Sequence, residues 1–205
     1  MPFSVKSVWL DLIEECSDVP WAKLIWYSQC IPRHSFILWL AMWQKLKTHD
    51  KFEFFELKSD LKCVFCKEGP DSHNHLFFNC DYPNKVWQKI KKLARLESAP
   101  NSWNDIVNFF VIRPANKTIW SIIQRLVLGA MVYFIWQERN LRSFKGKNRS
   151  VDDLCNIITA EVRFRLMGLR IKVTKQSVKA AEVWGFQLNK GFHSDNFDNI
   201  SHGRK

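Results

Sequence analysis

The sequence predicts a mostly α-helical protein, and residue usage is the first reason. Its 205 residues include ten Trp and sixteen Phe but only seven Gly and seven Pro. Bulky side chains with few turn-forming residues favour helices over a sandwich of many short strands. Because 46% of the residues are hydrophobic, the chain can fill the core of one ordinary domain or two small ones.

The second reason is the spacing of apolar residues, which repeats with a helical period. It predicts short amphipathic segments of undecided type at 4–13 and 21–30, and helices at 35–46, 48–57, 81–96, 116–144, 150–169 and 174–186. Asp81 with Pro83, the Ser150–Asp153 capping box, and Thr174 are the start signals of three of these helices.

One apolar run, Leu126 to Trp136, contains eleven residues without a charge. A helix needs about 20 apolar residues to cross a bilayer. We therefore predict that this run is the buried part of a helix, and that the protein has no membrane partner.

Linker composition at residues 98–102 divides the predicted helices into two groups. Residues 1–97 are predicted to form a small first domain and residues 103–188 a basic helical bundle. From residue 189 to 205 the chain is rich in Asn, Asp, Ser, Gly and His without periodicity, which predicts a mobile tail.

The positive charge is concentrated in the middle of the chain. Residues 1–80 hold 9 Lys/Arg against 10 Asp/Glu, residues 81–180 hold 19 against 7, and residues 181–205 hold 3 against 3, giving −1, +12 and 0. Such an excess attracts polyanions such as nucleic acid, although a well-solvated surface is an alternative interpretation.

The N-terminus lacks the basic start, apolar run and cleavage site of a secretory signal. Three of the six cysteines, Cys63, Cys66 and Cys80, cluster around histidine, and the others are scattered. This pattern favours a metal site in a reducing compartment over disulfides. We expect the protein in the nucleus or the cytoplasm, and not secreted.

Cys63, Cys66, His75 and Cys80 have the spacing Cys-x2-Cys-x8-His-x4-Cys, close to that of a retroviral zinc knuckle with a longer central loop. The two thiols of one short turn can point at a single ion, and Gly69 and Pro70 are typical of a loop that returns the other pair. Four protein ligands would leave no open position, so the sequence predicts one structural Zn²⁺.

His73 is the competing third ligand. We favour His75 because it keeps the four-residue gap to Cys80 and directly precedes Leu76-Phe77-Phe78, which can anchor the site on the core. The predicted fold is thus a zinc-stabilised small helical domain followed by a basic helical bundle.

The segment from Ile31-Pro32-Arg33-His34-Ser35-Phe36 through Cys63, Cys66, Asp71-Ser72, His75 and Cys80 to Val86-Trp87 resembles the reverse-transcriptase zinc-binding domain. The later Ile135-Trp136-Gln137-Glu138-Arg139-Asn140 resembles a segment that often follows this domain. The family occurs in plant non-LTR (LINE-type) retrotransposons and in stand-alone plant proteins. The resemblance implies the same four ligands and a role in binding the element's nucleic acid.

No polymerase motif and no convergent carboxylates are recognisable, so we expect a non-catalytic protein without a small-molecule substrate. RNA or single-stranded DNA is the expected partner. The residues expected to contact phosphates are Lys85, Lys89, Lys91, Lys92, Arg95, Arg139 and Arg142. The alternative is a structural or protein-interaction module, and the oligomeric state stays open.

Glu138 and Arg142 also lie at helical i,i+4 spacing, which we interpret as a surface ion pair.

Overall fold

The computed structural model describes residues 19–51, 62–113 and 115–188, and within these ranges the predicted mostly α fold is confirmed. The α-helices are α1 (Ala22–Ile25), α2 (Pro32–Met42), α3 (Asp81–Leu93), α4 (Trp103–Ile112), α5 (Ile119–Lys145), α6 (Val151–Met167) and α7 (Lys175–Trp184). A 3₁₀ turn covers His49–Lys51, and a π-helix covers His75–Asn79. The segment predicted at 4–13, most of the helix predicted at 48–57, and the predicted tail lie outside the described residues.

Two predicted helix starts are confirmed by their side-chain caps. The hydroxyl of Ser150 accepts a hydrogen bond from the Asp153 amide at 3.1 Å, and Asp153 Oδ2 accepts one from the Ser150 amide at 3.2 Å. Thr174 and Ser177 form the same reciprocal arrangement at the start of α7. Each pair satisfies amide groups that the first helical turn leaves free.

Other helix bounds differ from those predicted, for local reasons. The second helix starts at Pro32 and not at Ser35, because proline fits the first turn, where an amide donor is not needed. The third ends at Leu93 because Arg95 adopts a left-handed conformation, with φ 53°. The fifth starts at Ile119 because the Thr118 hydroxyl accepts from the Ser121 amide.

The central element is α5, which packs against α2, α3, α6, α7 and the π-helix. The predicted run from Leu126 to Trp136 is buried except for Tyr133 and Trp136, which are partly buried. By length and composition alone, α5 could cross a membrane. However, 78% of its most apolar 18-residue stretch is buried inside the protein. A core helix passes the same test.

The segment at 98–102 is held against α3. Trp87 Nε1 donates to the Pro100 carbonyl at 3.0 Å, and Lys91 Nζ donates to the Ala99 carbonyl at 3.4 Å. The buried apolar cluster contains residues from both sides of this segment, including Leu24 and Phe186. The division into two domains stays a prediction.

Candidate metal centre

The first two candidate ligands lie on a tight turn closed by backbone hydrogen bonds. The Cys63 amide donates to the Gly69 carbonyl at 2.8 Å, and the Lys67 amide donates to the Cys63 carbonyl at 2.9 Å. Lys62 and Pro70 form an antiparallel bridge beside the turn. This short hairpin brings Cys63 and Cys66 to one side of the loop.

Two backbone amides of the hairpin point at the sulfurs. The Phe65 amide lies 3.4 Å from Cys63 Sγ, and the Gly69 amide lies 3.5 Å from Cys66 Sγ. Such donors stabilise thiolates, the form in which cysteine binds a metal. The hairpin is therefore arranged for charged sulfur ligands.

The other two candidate ligands lie at the two ends of the π-helix. His75 is its first residue, and Cys80 follows its last residue and immediately precedes α3. The Cys80 amide donates to the His75 carbonyl at 2.8 Å, which fixes the spacing of the pair. The side chains between them, Leu76, Phe77 and Phe78, are buried, so the core anchors this half of the site as the sequence predicted.

The four side chains meet at one point, with their ligand atoms all within 4.8 Å of one another. Cys63 Sγ lies 3.9 Å from Cys80 Sγ, and Cys66 Sγ lies 3.3 Å from His75 Nε2. A tetrahedral Zn²⁺ with ordinary bond lengths separates two sulfurs by about 3.8 Å and a sulfur from a nitrogen by about 3.5 Å. The donor set and its spacing therefore fit one Zn²⁺, which these four side chains could hold together.

The surroundings of Cys63 favour its thiolate, the form that binds a metal ion. The hydrogen bond that Cys63 shares with the Cys80 thiol, together with backbone amides, lowers the pKa of Cys63 to about 5 against the opposing effect of burial. A bound metal ion would replace the shared proton between the two sulfurs. By contrast, burial raises the pKa of Cys155 to about 11, which is typical of a structural cysteine.

Gly69 packs directly against the ring of His75. A Cβ atom built on Gly69 would lie 2.6 Å from His75 Cε1 and 3.0 Å from each ring nitrogen. Cβ atoms in proteins essentially never approach another atom closer than 3.0 Å, so a side chain at this position would displace the His75 ring. The absence of a side chain at this position is therefore a condition for the observed place of the His75 ligand.

His73, the competing candidate, lies in the core and not in the cluster. Its ring packs edge-on against Trp103 with centroids 4.4 Å apart, and also against Phe77 at 5.0 Å. Only 3% of the residue is exposed, and this burial lowers the pKa of His73 to about 4. The choice of His75 over His73 agrees with this geometry.

Asp71 connects the loop between the ligand pairs to the central helix. Its carboxylate Oδ2 accepts a hydrogen bond from Arg139 Nη2 at 2.5 Å and another from the His49 amide at 3.0 Å. The Asp71 and Arg139 side chains are 0% and 3% exposed. This buried ion pair joins the candidate metal loop to α5.

The predicted surface pair of Glu138 and Arg142 is wrong in its placement. Glu138 is fully buried, and its Oε1 accepts from Arg142 Nε at 2.9 Å and from the Arg149 amide at 2.8 Å. The Arg142 guanidinium also lies over the ring of Tyr82, at 4.2 Å from its centroid. Helical spacing predicted the partners but could not show that Phe65, Tyr82 and the segment at Arg149 surround them.

The residues expected to contact phosphates do not share one surface. Lys91 is buried and donates to Asn101 Oδ1 at 3.1 Å, and Arg139 is buried against Asp71. Arg142 is partly buried in the cluster around Glu138. These three side chains are engaged inside the protein, so we remove them from the candidate surface.

The four remaining cations of α3 and its end are exposed. Lys85 pairs with Asp81 at 2.6 Å, and Lys89 pairs with Asp152 at 2.5 Å. Lys92 is exposed as well, one turn before the exposed Arg95. These four cations therefore stay available as candidates.

Sequence reasoning missed the surroundings of Trp120. The Arg95 guanidinium lies 3.9 Å from the centroid of the Trp120 ring, and Trp120 Nε1 donates to Gln176 Oε1 at 3.0 Å. The three residues are distant in sequence, so periodicity could not bring them together. The only local signal was an aromatic residue in the first turn of a helix, between Lys117 and Arg125.

Comparisons with known proteins agree with the local geometry. No curated protein and no solved structure matches the chain. Residues 3–87, a segment that contains all four candidate ligands, match the model of the protein family described as zinc-binding in reverse transcriptase.

Proposed function

We propose that the chain is a non-catalytic, zinc-stabilised protein that derives from a plant LINE-type retrotransposon and binds RNA or single-stranded DNA through its basic helical part. The matched family supports the origin, and the four-residue cluster supports the zinc. Its place of action would be the nucleus or the cytoplasm, where reducing conditions keep the ligand thiols free.

The observation that carries the nucleic-acid proposal is the exposure of the basic excess. Residues 81–180 carry +12, and several of their acidic side chains are already used for helix caps, ion pairs or the interior. Exposed cations from this segment are Lys85, Lys89, Lys92, Arg95, Arg113, Lys117, Lys145, Lys147, Arg163, Arg170, Lys172, Lys175 and Lys179. A surface of this sign releases counterions from a phosphate backbone on binding.

The ion pairs of α3 do not compete strongly with phosphates. The Lys85 and Lys89 side chains are 62% and 53% exposed, and their partners are more exposed still. Solvent screens such pairs, so each contributes little to stability. A phosphate can therefore replace the carboxylate at low cost, and Lys92 adds a third cation on the same helix.

The proposed zinc is structural because its four protein ligands complete a tetrahedron. No coordination position is left for a water molecule or a substrate. The ion would instead join the hairpin to the start of α3, since Cys80 immediately precedes that helix. Folding of this region should then depend on the metal.

Zinc content tests the first part of the proposal. We expect one zinc per chain by elemental analysis, and loss of the zinc with a lower melting temperature in Cys80→Ser. The matched control is Cys155→Ser, which alters a cysteine outside the cluster and should keep the zinc. Equal zinc content in both variants would contradict the assigned site.

Titration of labelled 20-nucleotide RNA and single-stranded DNA tests the second part. Binding should weaken steeply as salt rises, with a slope of about −0.7 per phosphate contacted. The triple variant Lys85→Gln, Lys89→Gln, Lys92→Gln should bind more weakly than the control triple Lys45→Gln, Lys47→Gln, Lys51→Gln, which changes exposed lysines of the charge-balanced part. No measurable binding by the unaltered protein at low salt would refute the proposal.

The second candidate function, a protein-interaction module, is favoured by one surface feature. Phe164 and Met167 lie three residues apart on α6 and are 79% and 50% exposed. Residues at that spacing share a helix face. If Phe164→Ser with Met167→Ser abolished self-association in sedimentation while the lysine variants did not, this candidate would replace nucleic-acid binding.

A further inference from the structure

Two open clefts flank the start of α5, and Trp120 lines both. The first, of about 510 Å³, lies between the start of α1, the end of α4 and the loop before α5. The second, of about 940 Å³, lies between the first turn of α5 and the segment from Leu169 to Ser177. Thr118 also lines both clefts, so the two are neighbours on either side of the start of this helix.

Among the residues that the structure describes, both clefts are lined by cations and by no carboxylate. Lys23 and Arg113 line the first cleft, and Lys117, Arg170 and Lys172 line the second. No ion pair joins any of these five to an acidic side chain of the described ranges 19–51, 62–113 and 115–188. Their charge is therefore available to an anionic ligand.

Helix polarity adds to the positive potential of the second cleft. Its lining includes Thr118 and Thr174, the residues that cap the N-termini of α5 and α7. A helix N-terminus carries a partial positive charge and favours a nearby phosphate. The positive potentials of two helix N-termini and three side-chain cations therefore add in the second cleft.

The remaining residues of the lining are apolar or aromatic, so they suit the bases of a nucleic acid better than a ligand that is charged on every side. Ile119, Ile122, Leu169 and Ile171 give the second cleft an apolar wall. The Trp120 ring is held between this wall and the first cleft by Gln176 and by the stacked Arg95 guanidinium. Exposed bases of a single strand stack on aromatic rings and on arginine planes, whereas the bases of a duplex are already stacked.

We propose that a single-stranded polynucleotide runs from one cleft to the other across Trp120, with its phosphates on the five cations and its bases against the Trp120 side of the groove. This inference rests on the proposed nucleic-acid function and locates it outside the family-matched segment 3–87. Charge complementarity selects the polyanion, and the apolar and aromatic wall selects a strand with unpaired bases.

The test compares two double charge reversals that change the net charge equally. Lys117→Glu with Arg170→Glu alters the second cleft, and Lys45→Glu with Lys47→Glu alters exposed lysines of the charge-balanced part of the chain, which line neither cleft. We expect the cleft variant to lose at least about tenfold in affinity for a 20-nucleotide RNA or DNA strand, and its salt slope to fall by about 1.4. The control should lose less than about threefold, as expected for a general charge effect.

Trp120→Ala tests the stacking step, with an expected loss of about five- to 150-fold in affinity. Trp120→Phe keeps an aromatic face and should retain most of the affinity. Circular dichroism and zinc content establish that each variant is folded before binding is measured. If Trp120→Ala does not fold, weaker binding of Trp120→Leu than of Trp120→Phe supports the same conclusion.

The outcomes separate the inference from the proposed function. If the unaltered protein binds no strand at low salt, both fail. If it binds but the cleft variant and the control lose affinity equally, the inference fails alone. Equal affinity for a duplex of the same length, or competition by poly-glutamate as effective as by RNA, would also overturn the single-strand cleft. Parallel RNA and DNA titrations then show which strand is preferred.

Discussion

Asp71 and Arg139 form a buried ion pair, with Asp71 Oδ2 and Arg139 Nη2 2.5 Å apart, that joins the candidate zinc loop to the central helix 68 residues later. Asp71 lies in the sequence between the two halves of the ligand set. The pair therefore holds the candidate zinc loop against α5, the helix around which most of the core packs.

Asp71→Asn should destabilise the protein by about 3 to 5 kcal/mol, because it leaves the Arg139 charge buried without its counter-ion. Unfolding in urea, followed by circular dichroism, measures the change. The control Lys85→Gln breaks the exposed pair with Asp81 and should change stability much less. Similar losses in the two variants would contradict the role of burial.

Gly69→Ala should weaken zinc binding, because the new methyl group would overlap the His75 ring. We expect at least about a tenfold loss, the range seen when groups that orient metal ligands are altered. Competition with a chromophoric chelator measures the affinity. At Gly168 an added Cβ meets only the Arg165 carbonyl, at an ordinary 3.6 Å, so Gly168→Ala is the control and should leave the affinity unchanged.

Protonation of His34 should destabilise the fold at acidic pH. Only 2% of His34 is exposed, and burial, with a smaller effect of Arg33, lowers its pKa from 6.5 to about 3. Between these values the unfolded chain binds a proton that the folded protein does not, so His34 reduces stability as pH falls. The slope is about 1.4 kcal/mol per pH unit below 6.5.

The test of His34 is a comparison with His34→Leu, which cannot be protonated. The groups facing the imidazole include Tyr133, Phe134 and Glu161, whose Oε1 lies 3.9 Å from His34 Nε2. Denaturant unfolding of both proteins from pH 7 to pH 4.5 gives their free energies of unfolding at each pH. In the difference between the two values, the effects of groups other than His34 cancel. Parallel curves would show that His34 does not contribute.

Glu138→Gln should loosen the connection between α5 and α6. The buried carboxylate accepts hydrogen bonds from Arg142 and from the Arg149 amide. A neutral amide can still accept these bonds, but it leaves the Arg142 and Arg149 guanidinium groups without their counter-charge. Limited digestion with trypsin should then cut faster at the exposed Lys145 and Lys147. Glu182→Gln makes the same change at an exposed position of α7, and an equal digestion rate in both variants would refute the prediction.

The features that could be predicted from the sequence are those set by neighbouring residues. The ligand spacing from Cys63 to Cys80 and the capping box of Ser150 and Asp153 each depend on a few consecutive positions. Helix periodicity is equally local, so it predicted most of the helices and the burial of the run from Leu126.

The features that could not be predicted depend on which surfaces meet. Lys91 is one of the cations that we expected to contact phosphates, yet the segment after α3 covers it. Glu138 was paired correctly with Arg142 but was placed on the surface, because helical spacing does not show that the chain after α5 folds back at Arg149 or that Phe65 and Tyr82 lie against Arg142. Nothing in the local pattern connects Arg95, Trp120 and Gln176.

The position of Asp71 between the ligand pairs has a consequence for the order of assembly. If the hairpin folds only around its ion, as expected for a structural zinc site, a chain without zinc does not present Asp71 to Arg139. The guanidinium would then have to enter the core alone, which is unfavourable. We therefore expect metal capture to precede the seating of the long helix, so that zinc supply limits the rate at which new chains mature.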